Sequence, residues 1–153
     1  MLSKKAKYAF KALLALGREP KGTPVLISDL ARRESIPKKF LELILLDLKH
    51  QGIVQSKMGK GGGYFLLHSP KEVSFARVIR ILDGPLAPVP CASETGYMRC
   101  EECADERTCG VRLVMKQVRD ATAEILERTT LADVLDRIPQ GEASAKRGAR
   151  RGG

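Results

Sequence analysis

Four cysteines stand within nineteen positions, Cys91, Cys100, Cys103 and Cys109 in the stretch CASETGYMRCEECADERTC, and they are all the cysteines of a 153-residue chain. Thiolates are soft ligands, so such a cluster suits zinc or an iron-sulfur centre. The same stretch carries five acids, Glu94, Glu101, Glu102, Asp105 and Glu106, against Arg99 and Arg107. A negative field disfavours thiolates, whereas a nucleophilic or peroxide-sensing cysteine needs basic neighbours. The setting therefore points to thiolates held by a cation rather than to a bare reactive thiol. Zinc sites usually show two closely spaced pairs, and only Cys100-x2-Cys103 is one here. On spacing alone zinc, an iron-sulfur cluster, disulfides in any of three pairings and plain loop cysteines all stay open.

The elements that must position these thiols lie on both sides of them. Charge is divided unevenly: residues 1–84 carry 16 Lys and Arg against 7 Asp and Glu, residues 85–138 carry 7 against 10, and residues 139–153 carry 4 against 1. A basic excess concentrated in one region is the electrostatic footprint of a phosphate-binding module, with a merely solvated basic surface as the alternative. No apolar run reaches the roughly 18 residues of a membrane span, and the start MLSKKAKYAF lacks an apolar signal segment. The expectation is a cytoplasmic protein without membrane contact, whose thiols stay reduced. No nucleophile-base pair stands out, and neither histidine, His50 or His68, lies near a candidate partner, so an enzyme is not expected.

Apolar periodicity predicts a mainly α chain with one hairpin. Ala6, Phe10, Leu13 and Leu14 recur at helical spacing over residues 3–16. Ser28 is a cap candidate for a short second helix turning Leu30 and Ala31 inward. A third helix opens at Pro37 and closes at Gly52, with Leu41, Ile44, Leu45 and Leu48 on one face. Ile53–Lys57 and Tyr64–Leu67 read as two strands joined by a glycine-rich tip that can adopt positive φ. The tip lacks the G-x-x-x-x-G-K-[ST] pattern of a phosphate loop. A further helix from about Ser74 buries Phe75, Val78, Ile79 and Leu82. Together these make a winged helix-turn-helix.

The order of these parts, with IPKKFLELILLDLKHQGIVQSKMGKGGGY, then VSFARVIRILDG, then clustered cysteines, then a long helix ending in ERTTLADVLD, resembles the Rrf-two (Rrf2) family of bacterial winged-helix regulators. The resemblance covers residues 1 to about 138 and is most specific at GKGGGY, IRILDG and the Cys103-x5-Cys109 spacing. It implies a homodimer that binds palindromic double-stranded DNA as a regulator or repressor and changes affinity when a 2Fe-2S or 4Fe-4S iron-sulfur cluster changes state, as redox, iron or nitric oxide sensors do. It implies a ligand triad of Cys91, Cys103 and Cys109. Relatives complete the set with a histidine three residues after the last cysteine or an acid near the partner's N-terminus; here those positions hold Arg112 and Tyr8. Cys100 is then the candidate fourth ligand. Zinc as a structural metal, a metal-free thiol switch, and a winged-helix interaction module without DNA binding are the alternatives.

The expected organisation is a DNA-binding domain over residues 1–84, a cysteine loop over 85–109, a long C-terminal dimerisation helix with a short terminal helix over 110–138, and a disordered basic tail over 139–153. On the recognition helix Lys38, Lys39, Phe40 and Glu42 can reach a groove: lysine meets phosphate or a guanine edge, glutamate accepts from cytosine, and phenylalanine touches a thymine methyl. Leu43 and Leu46 stand where relatives carry polar residues, and packing against a neighbouring helix is the favoured reading over contact with thymine. In the wing, Lys57, Lys60, Gly61 and Gly62 are the DNA-binding candidates, and Met58 replaces the arginine that relatives insert in the minor groove. Val111, Val114, Val118, Ala121 and Ile125 recur at spacings of 3, 4, 3 and 4. This seam fits either a partner helix or burial within one subunit, and the resemblance favours the dimer.

Overall fold

The computed structural model describes residues 2–139, so the expected tail lies, from residue 140 on, outside the described residues. Six α-helices and one hairpin follow one another in the order α1 Lys4–Gly17, α2 Ile27–Glu34, α3 Lys38–His50, β1 Val54–Lys57, β2 Gly63–Leu66, α4 Phe75–Asp83, α5 Gly110–Arg128 and α6 Leu131–Arg137. The architecture is mainly α with a winged helix, as the sequence leads one to expect.

Helix α1 is capped by Ser3, whose hydroxyl accepts from the Ala6 amide at 3.0 Å. Its small residues Ala6, Ala9, Ala12 and Ala15 are buried beside Phe10, Leu13 and Leu16, which lets α2, α3, α4 and α6 approach it closely. The inward stripe of α3, Leu41, Ile44, Leu45 and Leu48, is completely buried in the same core. Phe10 of α1 stacks on Phe75 at 4.1 Å. In α4, Val78 is fully buried and Ala76 joins it, whereas Phe75, Ile79 and Leu82 are only partly buried against the core.

Ser28 does not cap α2. The helix begins two residues earlier than a Ser28 cap would start it, at Ile27, with Leu26 at the cap position and no side-chain cap bond. The cause is tertiary: Val25 forms an isolated bridge with Tyr64, N–H to carbonyl at 2.8 Å and carbonyl to N–H at 2.9 Å. That bridge holds the chain extended up to the helix, so sheet pairing overrides capping preference. Between α2 and α3 the turn is made by Ser35 in the left-handed region (φ 54°), with buried Ile36 donating to the Ala31 carbonyl at 2.9 Å. A non-glycine residue there costs roughly 1–2 kcal/mol, offset by burying Ile36.

The wing strands are antiparallel, with Val54 opposite Leu66 and Lys57 opposite Gly63. Gly63 has φ 142° and is pressed on the Val25 backbone, where an added Cβ would lie 2.2 Å from the carbonyl oxygen. Past the wing and α4, the chain runs through residues 84–109 into α5, then turns back. Leu131 of α6 is completely buried in the α1–α3 core, and the Leu131 amide donates to the Val73 carbonyl at 3.0 Å. No helix among the described residues is long and apolar enough to cross a membrane.

The return of α6 depends on a capping box. Asp133 accepts from both the amide and the hydroxyl of Thr130 at 2.8 Å, and the Asp133 amide donates to the Thr130 hydroxyl at 3.2 Å. Those bonds from Thr130, aided by Arg137, hold the Asp133 carboxyl below the usual carboxylate range. A lowered folded pKa means that the stabilisation is present above the ordinary value of about 4 and is lost as pH falls through the folded value. Asp133→Ala is therefore expected to lower Tm at neutral pH, with the gap to wild type shrinking as pH falls below the ordinary carboxylate value of about 4. Thermal melts across that range check it, and a gap independent of pH would exclude the carboxylate charge as its source.

Candidate nucleic-acid interface and cysteine loop

The recognition end is built from α3 and the wing. Burial of Leu41, Ile44, Leu45 and Leu48 turns the opposite face of α3 to solvent, and Lys38, Lys39 and Glu42 are exposed on it. Phe40 is not free to reach out: it is half-buried, its ring edge-on to Tyr8 at 5.6 Å, so it fixes α3 against α1. Leu43 and Leu46 are 60% and 43% exposed, which overturns the packing expected for them. The reason is angular: a helix that buries residues 41, 44, 45 and 48 presents 43 and 46 on the far side, where no helix lies among the described residues. Asp47 pairs with Lys5 of α1 at 2.6 Å, and Lys49 donates to the Ser56 hydroxyl at 2.6 Å, tying the end of α3 to the wing.

At the wing tip Lys57, Met58, Lys60 and Gly61 are exposed. Gly62, expected to meet DNA, is buried instead. Its amide donates to the Gly59 carbonyl at 3.0 Å and an added Cβ would stand 2.1 Å from the Lys57 oxygen, so it shapes the tip rather than offering surface.

All four thiols are free, Cys100 exposed and the other three half-buried. Cys91 sits in a single 3-10 turn, Pro90–Ala92, and Cys109 is the N-cap of α5, its sulfur accepting from the Arg112 amide at 3.4 Å. The Cys103 amide donates to the Cys100 carbonyl at 3.2 Å, closing a turn between them. Burial pushes the Cys103 thiol up, and the neighbouring Cys109, Glu106 and Cys100 push it further. Among the described residues, no three His, Cys, Asp or Glu side chains converge as a metal-ligand set. The donor chemistry fits a soft metal centre all the same: four free thiols on one loop, with a thiolate at Cys103 costly unless a cation stands beside it.

Two arginines hold this loop, Arg112, marked by the sequence only as an unsuitable ligand, and Arg119, which the sequence does not single out. Arg112, in the first turn of α5, donates through Nε to the Cys91 carbonyl at 2.9 Å and lies 3.9 Å from Glu106. Arg119, two turns on, donates to the Ala92 carbonyl at 2.6 Å and pairs with Asp120 at 2.5 Å and Glu94 at 3.4 Å; its side chain is only 12% exposed. Spaced by seven, both project from one face of α5, and that spacing was the signal available in the sequence. Neither position relatives use for a fourth ligand is free for it: Arg112 is bonded to Cys91, and Tyr8 is packed on Phe40.

The other face of α5 is bare. Val111, Val114, Val118, Ala121 and Ile125 are all exposed, Val111 at 66% and Ile125 at 54%. Burial within one subunit is therefore not what the seam does.

A family model described as Rrf2, iron-dependent transcriptional regulator, matches residues 2–137. The HTH-type regulator of Rhodobacter capsulatus named rrf2-like is 43% identical over 88% of this chain and 92% of its own length. The HTH-type transcriptional regulator IscR of Pectobacterium carotovorum is 27% identical over 97% of this chain and 90% of its own. Among solved structures, CymR, the global cysteine regulator of Bacillus subtilis, superposes with a TM-score of 0.76 at 27% identity, covering 91% of this chain and 98% of that one.

If the arginine clamp fixes Cys91 on α5, Arg112→Ala should raise the alkylation rate of Cys91 in the metal-free protein by up to about tenfold, one charge-assisted hydrogen bond being lost. Cys100, already exposed, serves as the internal reference by mass spectrometry. An unchanged ratio of Cys91 to Cys100 labelling would show that the clamp does not restrain the loop.

Proposed function

Because the chain belongs to the Rrf2 family, and is thus a DNA-binding transcriptional regulator rather than an enzyme, we propose that its affinity for a palindromic operator is set by an iron-sulfur cluster held by Cys91, Cys100, Cys103 and Cys109. The protein acts as a homodimer joined along Val111, Val114, Val118, Ala121 and Ile125 of α5. The observation that carries the proposal is the placement of the cysteine loop: Arg112 and Arg119 bind it to one face of α5 while the opposite face is apolar and exposed. Whatever orders the loop therefore acts on the helix that would join two subunits. A bound cluster would supply a charge that responds to iron, oxidant or nitric oxide.

Cys103 and Cys109 are half-buried donors, Cys91, equally half-buried, is presented by the clamp, and the exposed Cys100 closes the set. With four thiols from one chain the site needs no residue of the partner, which favours a stably held cluster over one with an exchangeable position. Dimer symmetry places two copies of α3 in successive major grooves, with half-sites about 34 Å apart. Lys38, Lys39, Lys57 and Lys60 supply phosphate contacts that position the protein, and Glu42 supplies a base contact.

Anaerobic purification with iron, sulfide and zinc analysis, followed by operator binding of loaded and metal-free protein at one salt concentration, tests the reading. Unequal affinities with iron and sulfide bound support it; zinc alone, or equal affinities, reduces the loop to a structural site. Cys100→Ala is expected to lose the cluster's visible absorption as fully as Cys103→Ala does, and retention of that absorption would remove Cys100 from the ligand set. Lys60→Ala should weaken binding about equally for all duplexes and lower the slope of log affinity against log salt by ~1. An unchanged slope would place Lys60 away from phosphate.

A further inference from the structure

The exposed face of α3 carries more apolar surface than a phosphate-contacting helix requires. At 3.6 residues per turn, Lys39, Leu43, Leu46 and His50 fall within a sector of about 60°, and all four are exposed, with Glu42 at its edge. Leu43 lies in the second turn of the helix and Leu46 in the third, opposite the four residues that form the core stripe.

Charge around the stripe decides what covers it. Lys38 and Lys39 stand at its start and the exposed Lys57 and Lys60 on the adjoining wing. Asp47, the acid beside Leu46, has its charge met by Lys5 at 2.6 Å. The interface core of a protein partner is depleted in lysine, whereas a major groove offers apolar groups between two rails of phosphate. The only apolar group on base edges in that groove is the C5 methyl of thymine.

We propose that Leu43 and Leu46 read thymine methyl groups, so that each half-site of this protein's operator requires thymine where the second and third turns of α3 cross it. The proposal rests on the DNA-binding reading above and deepens it by naming what the helix recognises. The two leucines add sequence dependence without hydrogen bonds: each gains contact when a methyl is present and meets bare groove edge when it is not. Glu42 and Lys39, in the same stripe, orient the helix for that contact through polar groups.

The test uses duplexes enriched by the full-length protein from a random library. Thymine is then replaced by uracil one position at a time, which removes only the methyl group. Wild-type affinity should fall about fourfold at each methyl that is read, the factor expected for burying one such group. Leu43→Ala and Leu46→Ala should each abolish the penalty at one position while leaving the other penalties, and the melting temperature, unchanged. Uracil tolerated at every position, or penalties that persist in both variants, would overturn the proposal while leaving DNA binding intact; the second result would assign the methyl contacts to other residues. Failure to enrich any duplex would remove the DNA-binding reading itself.

Discussion

A nineteen-residue helix that buries none of its residues cannot hold its own position. Most helical stability in proteins comes from tertiary packing of one face, so α5 depends on its half-buried side against α4 and the cysteine loop and on its ends. At its C-terminal end, the Thr129 carbonyl accepts from the Phe75 amide at 2.9 Å, Ser74 and Thr130 form a bridge, and Leu131 carries the chain into the core. Along the first half, Arg112 and Arg119 bind the carbonyls of Cys91 and Ala92. One anchor belongs to the DNA-binding core and the other to the cysteine loop. The helix therefore joins the DNA-binding core to the cysteine loop, and its apolar face is left exposed among the described residues.

The recognition end obeys the opposite rule, being over-determined. Helix α3 is held by four fully buried side chains, by Phe40 on Tyr8, by Lys5 on Asp47 and by Lys49 on Ser56 of the wing. Breaking one of the exposed ion pairs changes little, but the set fixes the angle at which Lys39, Glu42, Leu43 and Leu46 are shown. The protein thus presents a reading head fixed at many points on a body whose long helix packs on α4 and the cysteine loop without fully burying any side chain.

Much of this was legible in the sequence because it is periodic. The core stripe of α3 follows from 3.6-residue spacing, the wing from its glycines, and α5 from its seam. What the sequence concealed was three-dimensional. Leucine at 43 and 46 reads as packed by composition; the 3.6-residue stripe already turns both away from the core, and what the structure adds is that no neighbouring element among the described residues covers them. Ser28 has the chemistry of a cap, yet Val25 pairs with Tyr64 and starts α2 earlier. Gly62 looks like contact surface in a glycine run and is instead enclosed by the turn it makes. The cysteine spacing identified a soft-ligand loop, but not the arginines that hold it, because Arg112 and Cys91 are twenty-one residues apart and nothing local marks their contact.

Those arginines also define how a change in the loop could be felt at DNA. A ligand shifts an equilibrium only by its different affinity for the two states, so the loop must be bonded to something that has two arrangements. In the proposed dimer that something is the pair of α5 helices. At 1.5 Å per residue α5 is about 28 Å long, so a tilt of about 5° at the cysteine end displaces the far end by ~2 Å, a shift of the size seen at bistable helix interfaces. The far end is where Thr129 and Thr130 hold the DNA-binding core. The rigidity of α3 then has a purpose: because the reading head does not deform, a small displacement of the whole core changes the spacing between two heads, and spacing is what a palindromic site measures.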